Sequence, residues 1–187
     1  MTNEGTPLKR VVELLNDAQI PYMVTGSIAS TFHGPSRATQ DIDLVIDPTL
    51  TDLDRLLEHL SPDLYYVSRE AAHEALSLRS QFNVIDMKTG WKIDLIIRKD
   101  RPFSIEEFSR RQPARIGSTD LFVASPEDSI LSKLEWSKIG GSERQLQDAA
   151  NVLRARKSAI DHTYLARWAE ILDVSSLLDR AKQLAGM

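Results

Sequence analysis

The sequence predicts an α+β fold, a mixed sheet packed with helices over residues 1–125, followed by a C-terminal helical part over residues 126–187 that packs on it as one unit. Three observations predict it. Strand and helix patterns alternate through about residue 124, apolar runs on either side of Lys88-Thr89-Gly90 have the form of a hairpin, and beyond Ser125 only helical patterns follow.

Taken in order, Thr6 is placed to cap and Pro7 to open a first helix, in which Leu8, Val11, Val12, Leu15 and Ala18 recur at helical spacing. Residues 22–25 read as a short strand, Gly26-Ser27 as a turn, and 28–33 as a short helix closed by Gly34-Pro35. Residues 41–47 form a strand that stops at Pro48, and 51–60 a helix with Leu53, Leu56, Leu57 and Leu60 on one side. A strand at 65–68 and a helix at 69–78 come next, then the hairpin of 82–87 and 91–98. Residues 114–117 and 120–124 pair around Ser118-Thr119. Ser125-Pro126-Glu127-Asp128 then starts a helix with a cap, a proline and first-turn acids. Breaks at Gly140-Gly141, near Ala159 and near Asp173 divide the helices that follow. The tryptophans, Trp91, Trp136 and Trp168, are expected as buried or half-buried anchors.

A chain of 187 residues buries roughly 70% of its unfolded surface. Its 42% hydrophobic and 27% charged residues are an ordinary globular composition. Without cysteine, disulfides, thiolate metal sites and cysteine nucleophiles are excluded, and any metal must sit on oxygen or imidazole. The histidines show no ligand spacing, and no serine lies in a nucleophile-elbow motif. No apolar run approaches the roughly 20 residues that span a bilayer, so a soluble, cytoplasmic protein with no membrane partner is expected. A net charge of −4 argues against indiscriminate nucleic-acid binding. Residues 98–115 and 133–157 each carry six Lys or Arg against three Asp or Glu, either as a solvated mixed surface or as a face for a phosphate-bearing ligand.

The chemistry is concentrated in residues 25–47, with a third element at Asp94. Asp41 and Asp43 stand two apart on a strand, so their side chains share a face with Cα atoms roughly 7 Å apart. Asp94 is the acid in the otherwise almost entirely apolar strand Lys92-Ile93-Asp94-Leu95-Ile96-Ile97, where a lone carboxylate pays a heavy desolvation cost unless it is paired with a cation or lies at the strand's open end. Three carboxylates on neighbouring strands explain one another if they hold Mg²⁺, a hard ion that leaves positions for water and substrate phosphates. Upstream, Gly26-Ser27 follows a strand and opens a helix whose first amides can receive a phosphate. Arg37 and Thr39 lead into the Asp41 strand, where an arginine can reach a phosphate and a threonine can brace the loop. Either motif alone is an ordinary turn or strand end; the ordered set is not.

That set, GSIASTFHGPSRATQDIDLVID followed by KIDLII, resembles the nucleotidyltransferase superfamily of the polymerase-beta-like fold. Within it the chain is most similar to the AbiEii-like, toxin-type nucleotidyltransferases, on these motifs together with SPEDSILSKLEWSK and SERQLQDAANVL. The resemblance covers roughly residues 8–153. It implies that Asp41, Asp43 and Asp94 are catalytic and ligate one or two Mg²⁺ ions, for which Mn²⁺ would serve, with Asp94 as base for the incoming hydroxyl. Gly26, Ser27, Arg37, Thr39 and Lys133 would bind the nucleotide, and Asp148 is a further candidate for positioning the site.

The expected activity is Mg²⁺-dependent transfer of a nucleoside monophosphate from an NTP, such as ATP, to a hydroxyl, with release of pyrophosphate. The acceptor is left open among an RNA end such as that of tRNA, a protein hydroxyl and a small molecule. For an RNA acceptor, Arg98, Lys99 and Arg101, which follow the Asp94 strand, would line the path into the acids. The resemblance also implies the toxin of a toxin–antitoxin pair with a cognate antitoxin as partner. The alternative is a non-catalytic partner-binding protein on the same fold.

Overall fold

The computed structural model describes residues 5–35 and 38–187. By its internal contacts the chain divides into two compact units, Met1–Val24 with Thr39–Val123, and Thr25–Ala38 with Ala124–Met187. The helices in chain order are α1 (Pro7–Asp17), α2 (Gly26–His33), α3 (Leu50–His59), α4 (Arg69–Leu78), α5 (Pro102–Ser109), α6 (Pro126–Gly140), α7 (Glu143–Arg156), α8 (His162–Ile171) and α9 (Ser175–Ala185). Among the described residues no helix is long and apolar enough to cross a membrane.

The first unit carries the sheet. Its strands are β1 (Tyr22–Val24), β2 (Asp41–Ile46), β3 (Tyr65–Tyr66), β4 (Gln81–Asp86), β5 (Lys92–Ile97), β6 (Gln112–Ile116) and β7 (Thr119–Val123). They lie in the order β3-β4-β5-β2-β1-β7-β6. β2 runs parallel to β5 and β1 to β7, while the other neighbours are antiparallel, so the sheet is mixed as the sequence predicts. Strand alternation does the sorting: Ile42, Leu44 and Ile46 of β2 and Ile93, Leu95 and Ile97 of β5 are buried, each contributing about 1.5–3 kcal/mol relative to exposure. Helix α1, capped by Thr6, buries Leu8, Val11, Val12 and Leu15 and touches α3, which buries Leu53, Leu56 and Leu57. Helix α4 packs on β4 and β5.

The β4–β5 hairpin turns where Lys88-Thr89-Gly90 predicts it. Asp86 ends β4 and accepts hydrogen bonds from the Lys88 and Thr89 amides at 3.0 and 3.1 Å, and Gly90 takes φ +73°. The same carboxylate is ion-paired with Arg10 of α1. Burial opposes the Asp86 charge, but the hydrogen bonds and the Arg10 guanidinium prevail and hold its carboxyl below the usual range. Helix α5 is an element that the sequence pattern did not indicate. It opens on Pro102 without a side-chain cap and is anchored by buried Phe103 and Phe108.

The second unit gathers α2 with α6 to α9, so a helix from early in the chain groups with the C-terminal ones. Helix α2 packs on α6 and α7. His33 ends α2 with Nε2 at 2.7 Å from the Ala124 carbonyl, and Arg156 Nε donates to the His33 carbonyl at 3.1 Å. Gly34 lies at a close approach: a Cβ there would meet the Ser30 and Asn151 carbonyl oxygens at 3.2 and 3.4 Å. Ser125 caps α6, bonded to Asp128, whose second oxygen accepts from Tyr164 Oη at 2.6 Å. Trp168 is buried as expected, whereas Trp136 stands 53% exposed on α6.

Candidate active site

Four neighbouring positions on β2 and β5 form the candidate site. Because side chains alternate, Asp41 and Asp43 leave β2 on the face opposite its buried Ile42, Leu44 and Ile46. The parallel register sets Asp43 beside Asp94 and Asp41 beside Lys92, with strands about 4.8 Å apart. On the far side of β5, β4 sets Asn83 against Asp94 and Ile85 against Lys92.

Lys92 is the residue that the sequence reading missed. Its Nζ donates to Asp94 Oδ2 at 2.8 Å. That hydrogen bond outweighs desolvation and, with the negative charges of Asp94, Asp41 and Asp43, raises the Lys92 pKa above the ordinary lysine value. Asp94 is only 7% exposed, and its second oxygen, Oδ1, is buried without a hydrogen-bond partner. The three acids thus share a face with a cation of the chain's own. Among the described residues no group of three His, Cys, Asp or Glu side chains is arranged to hold a metal ion, and Lys92 is ion-paired with Asp94. The donors are all carboxylate oxygens, which suit a hard divalent cation, and the unpartnered Asp94 Oδ1 is the atom such an ion would satisfy.

Thr39 braces the entry to β2 as expected, its Oγ1 accepting from the Asp41 amide at 3.2 Å and donating to the Asp41 carbonyl at 3.3 Å. Arg37 lies outside the described residues. Gly26 and Ser27 belong to the second unit and open α2, where Gly26 takes φ +62° and the Thr25 side chain makes no cap bond to the first-turn amides. Lys133 and Asp148, also of the second unit, are both buried and paired with each other, Nζ to Oδ2 at 3.1 Å.

The basic residues beyond β5 do not present a free phosphate track. Arg98 lies four residues, roughly 13 Å of strand, past Asp94. Its Nε is 3.0 Å from Asp47 and its Nη2 3.5 Å from Asp100. Arg101 Nε donates to Ser104 Oγ at 2.9 Å, and the guanidinium lies over the Phe103 ring. Lys99 is exposed. Local carboxylates and the start of α5 hold the two arginines that the RNA path would need.

No protein-family model and no curated protein matches the sequence. Solved structures do match. A nucleotidyltransferase-like antigenic protein of Paracoccidioides brasiliensis is similar at 20% identity over 92% of each chain, with a TM-score of 0.57. The chain has the nucleotidyltransferase fold. The lincosamide antibiotic adenylyltransferase LnuA, in its lincomycin-bound structure, matches at 13% identity over 84% of this chain and 100% of its own, with a TM-score of 0.56. ANT(2″)-Ia, in complex with adenylyl-2″-tobramycin, matches at 14% identity over 92% and 95%, with a TM-score of 0.55. At these identities the likeness is one of fold, and on this nucleotidyltransferase fold the acid face of β2 and β5 is the chain's own chemistry.

Proposed function

We propose that the protein is a metal-dependent nucleotidyltransferase that moves a nucleoside monophosphate from an NTP to the hydroxyl of an acceptor. The observation that carries this reading is the in-register pair of Asp43 and Asp94, with the unpartnered Oδ1 of Asp94, on a sheet of the nucleotidyltransferase fold. Two neighbours in that fold are adenylyltransferases or adenylyl-product complexes by name, which supports nucleotidyl transfer in general.

In this reading Asp41, Asp43 and Asp94 hold one or two Mg²⁺ ions, or Mn²⁺ in their place. When bound there, the metal neutralises phosphate charge and polarises the reacting oxygens. Thr39 keeps the Asp41 backbone in place. Asp94 takes the proton of the acceptor hydroxyl as its oxygen attacks the α-phosphorus; the bond from that phosphorus to the α–β bridging oxygen breaks, and pyrophosphate leaves. Lys92 balances the three acids when no substrate is bound.

The lysine on Asp94 is also the one observation that favours a second reading, a non-catalytic partner-binding protein on this fold, because an internal ammonium neutralises a retired acid as well as a resting one. Incubation with Mg²⁺ and each α-labelled NTP, against RNA, protein and small-molecule acceptors, separates the two. Transfer of label that Asp43→Asn reduces by at least about 100-fold supports the enzyme. If no NTP yields label on any acceptor and Mg²⁺ with NTP leaves the Tm unchanged, the second reading stands.

A further inference from the structure

The acid face does not end at β5. Cross-strand partners share a face, so the register continues it outward as two rows, Asp41, Lys92, Ile85 and Tyr66 in one, and Asp43, Asp94 and Asn83 in the other. Tyr66 is 64% exposed and Ile85 38%. Next to them, where the Met87 amide donates to the Leu64 carbonyl at 2.9 Å, Met87 is 60% exposed and Leu64 49%. Single exposed apolar side chains are ordinary, but four large ones side by side at the open margin of a sheet mark a binding surface.

We propose that this margin, Tyr66, Ile85 and Met87 with Asn83, is the acceptor subsite, and that the acceptor is a hydroxyl-bearing organic molecule with an apolar or aromatic face and no phosphate. The proposal rests on the nucleotidyltransferase reading and names the substrate class of that site. Reach supports it. β4 lies about 4.8 Å from β5, so a ring resting on Tyr66 and Ile85 sits one or two strand spacings, about 5–10 Å, from Asp94, a span that a molecule of sugar size or larger covers to bring its hydroxyl to the carboxylate. Asn83, exposed and in register with Asp94, offers an amide to orient that hydroxyl. Asp94 is the carboxylate that the hydroxyl would meet there. Charge supports it as well. The side chains that form the margin are uncharged, and Arg98, which an RNA strand would need, is held by Asp47 and Asp100 beyond the other end of β5. A phosphate-bearing strand gains nothing from such a surface, whereas a flat apolar molecule gains burial and ring stacking.

The test compares p-nitrophenyl β-D-glucopyranoside with methyl β-D-glucopyranoside, which carry the same sugar hydroxyls but differ in an aromatic face. Amide NMR spectra of the full chain are recorded with Mg²⁺ and a non-hydrolysable ATP analogue. The expected result is that the aryl glucoside shifts the amides of Tyr66, Asn83, Ile85 and Met87, that the methyl glucoside does not, and that Tyr66→Ala weakens the response at least five-fold. Tyr66 is too exposed for that substitution to threaten folding. Shifts elsewhere, or none, overturn the subsite, as does labelling of RNA ends at a rate that Tyr66→Ala leaves unchanged. The nucleotide-induced Tm shift, read on the same samples, tests the underlying reading separately. A nucleotide response without margin shifts sinks the subsite alone, while margin shifts without any nucleotide response sink the catalytic reading and the acceptor role with it.

Discussion

Replacing Lys92 by methionine keeps the length of the side chain and deletes its charge, leaving Asp94 buried beside Asp43 with no cation in contact. Breaking a fully buried ion pair costs about 3–5 kcal/mol. The Lys92 side chain is 43% exposed and that of Asp94 10%, so solvent screens part of the interaction and a loss of about 1–2 kcal/mol is expected. For a chain of this length that lowers the metal-free Tm by roughly 2–8 °C. A divalent cation then supplies the missing positive charge, so millimolar Mg²⁺ raises the Tm of Lys92→Met more than that of the wild type. Because the folded pKa of Lys92 is raised, the stability it contributes is full below the ordinary lysine pKa and is lost as pH rises through the folded value. Wild type and variant therefore converge only in strong alkali. Differential scanning fluorimetry, with and without Mg²⁺, reads all three effects. A metal-free Tm that is unchanged or higher in Lys92→Met would show that the acid face needs no internal counter-ion.

Two further outcomes follow from buried groups outside the site. Burial, more than any neighbour, pushes the His33 pKa down, and its Nδ1 has no partner while Nε2 serves Ala124. Stability that is full above pH 6.5 is therefore lost as pH falls toward the folded value, by up to about 1 kcal/mol at pH 5.5; urea midpoints across that range check it, and His33→Gln should flatten the dependence. Asp86→Asn removes the charge that Arg10 faces, at a cost of about 2 kcal/mol at pH 7 with Arg10 partly exposed. Since the Asp86 pKa is depressed, the advantage of the wild type is present above about pH 4 and disappears as pH falls through the folded value, so the denaturation curves of the two proteins should meet in acid.

The strands that build the site were legible because their patterns are local. Asp41 to Ile46 alternates charged or half-exposed with buried positions, and Lys92 to Ile97 is apolar apart from its first residue and Asp94. The pairing of β2 with β5 was not, because some fifty residues separate them and nothing in either strand names its partner. The Lys92 contact was available and overlooked: Lys92 and Asp94 have the same i, i+2 spacing as Asp41 and Asp43, which places both on one face of a strand. Helix α5 escaped because Arg101 gives no polar cap and its eight residues are too few to show a period. The pairing of Lys133 with Asp148 depends on the packing of α6 on α7, which the helical patterns of the two segments do not specify. The Arg98 ion pairs depend on Asp47, fifty-one positions away, so a count of basic residues along the chain overstates what a phosphate would meet.

Whether the acid face of β2 and β5 holds a metal-bound nucleotide is read from a crystal soaked with Mn²⁺ and a non-hydrolysable NTP. Anomalous Mn²⁺ density is expected within ligand distance of the Asp43 and Asp94 carboxylates, with Lys92 Nζ displaced from Asp94 Oδ2. Nucleotide bound elsewhere, or Lys92 still seated on Asp94 with no Mn²⁺ beside it, would rule out a metal-bound nucleotide on this face.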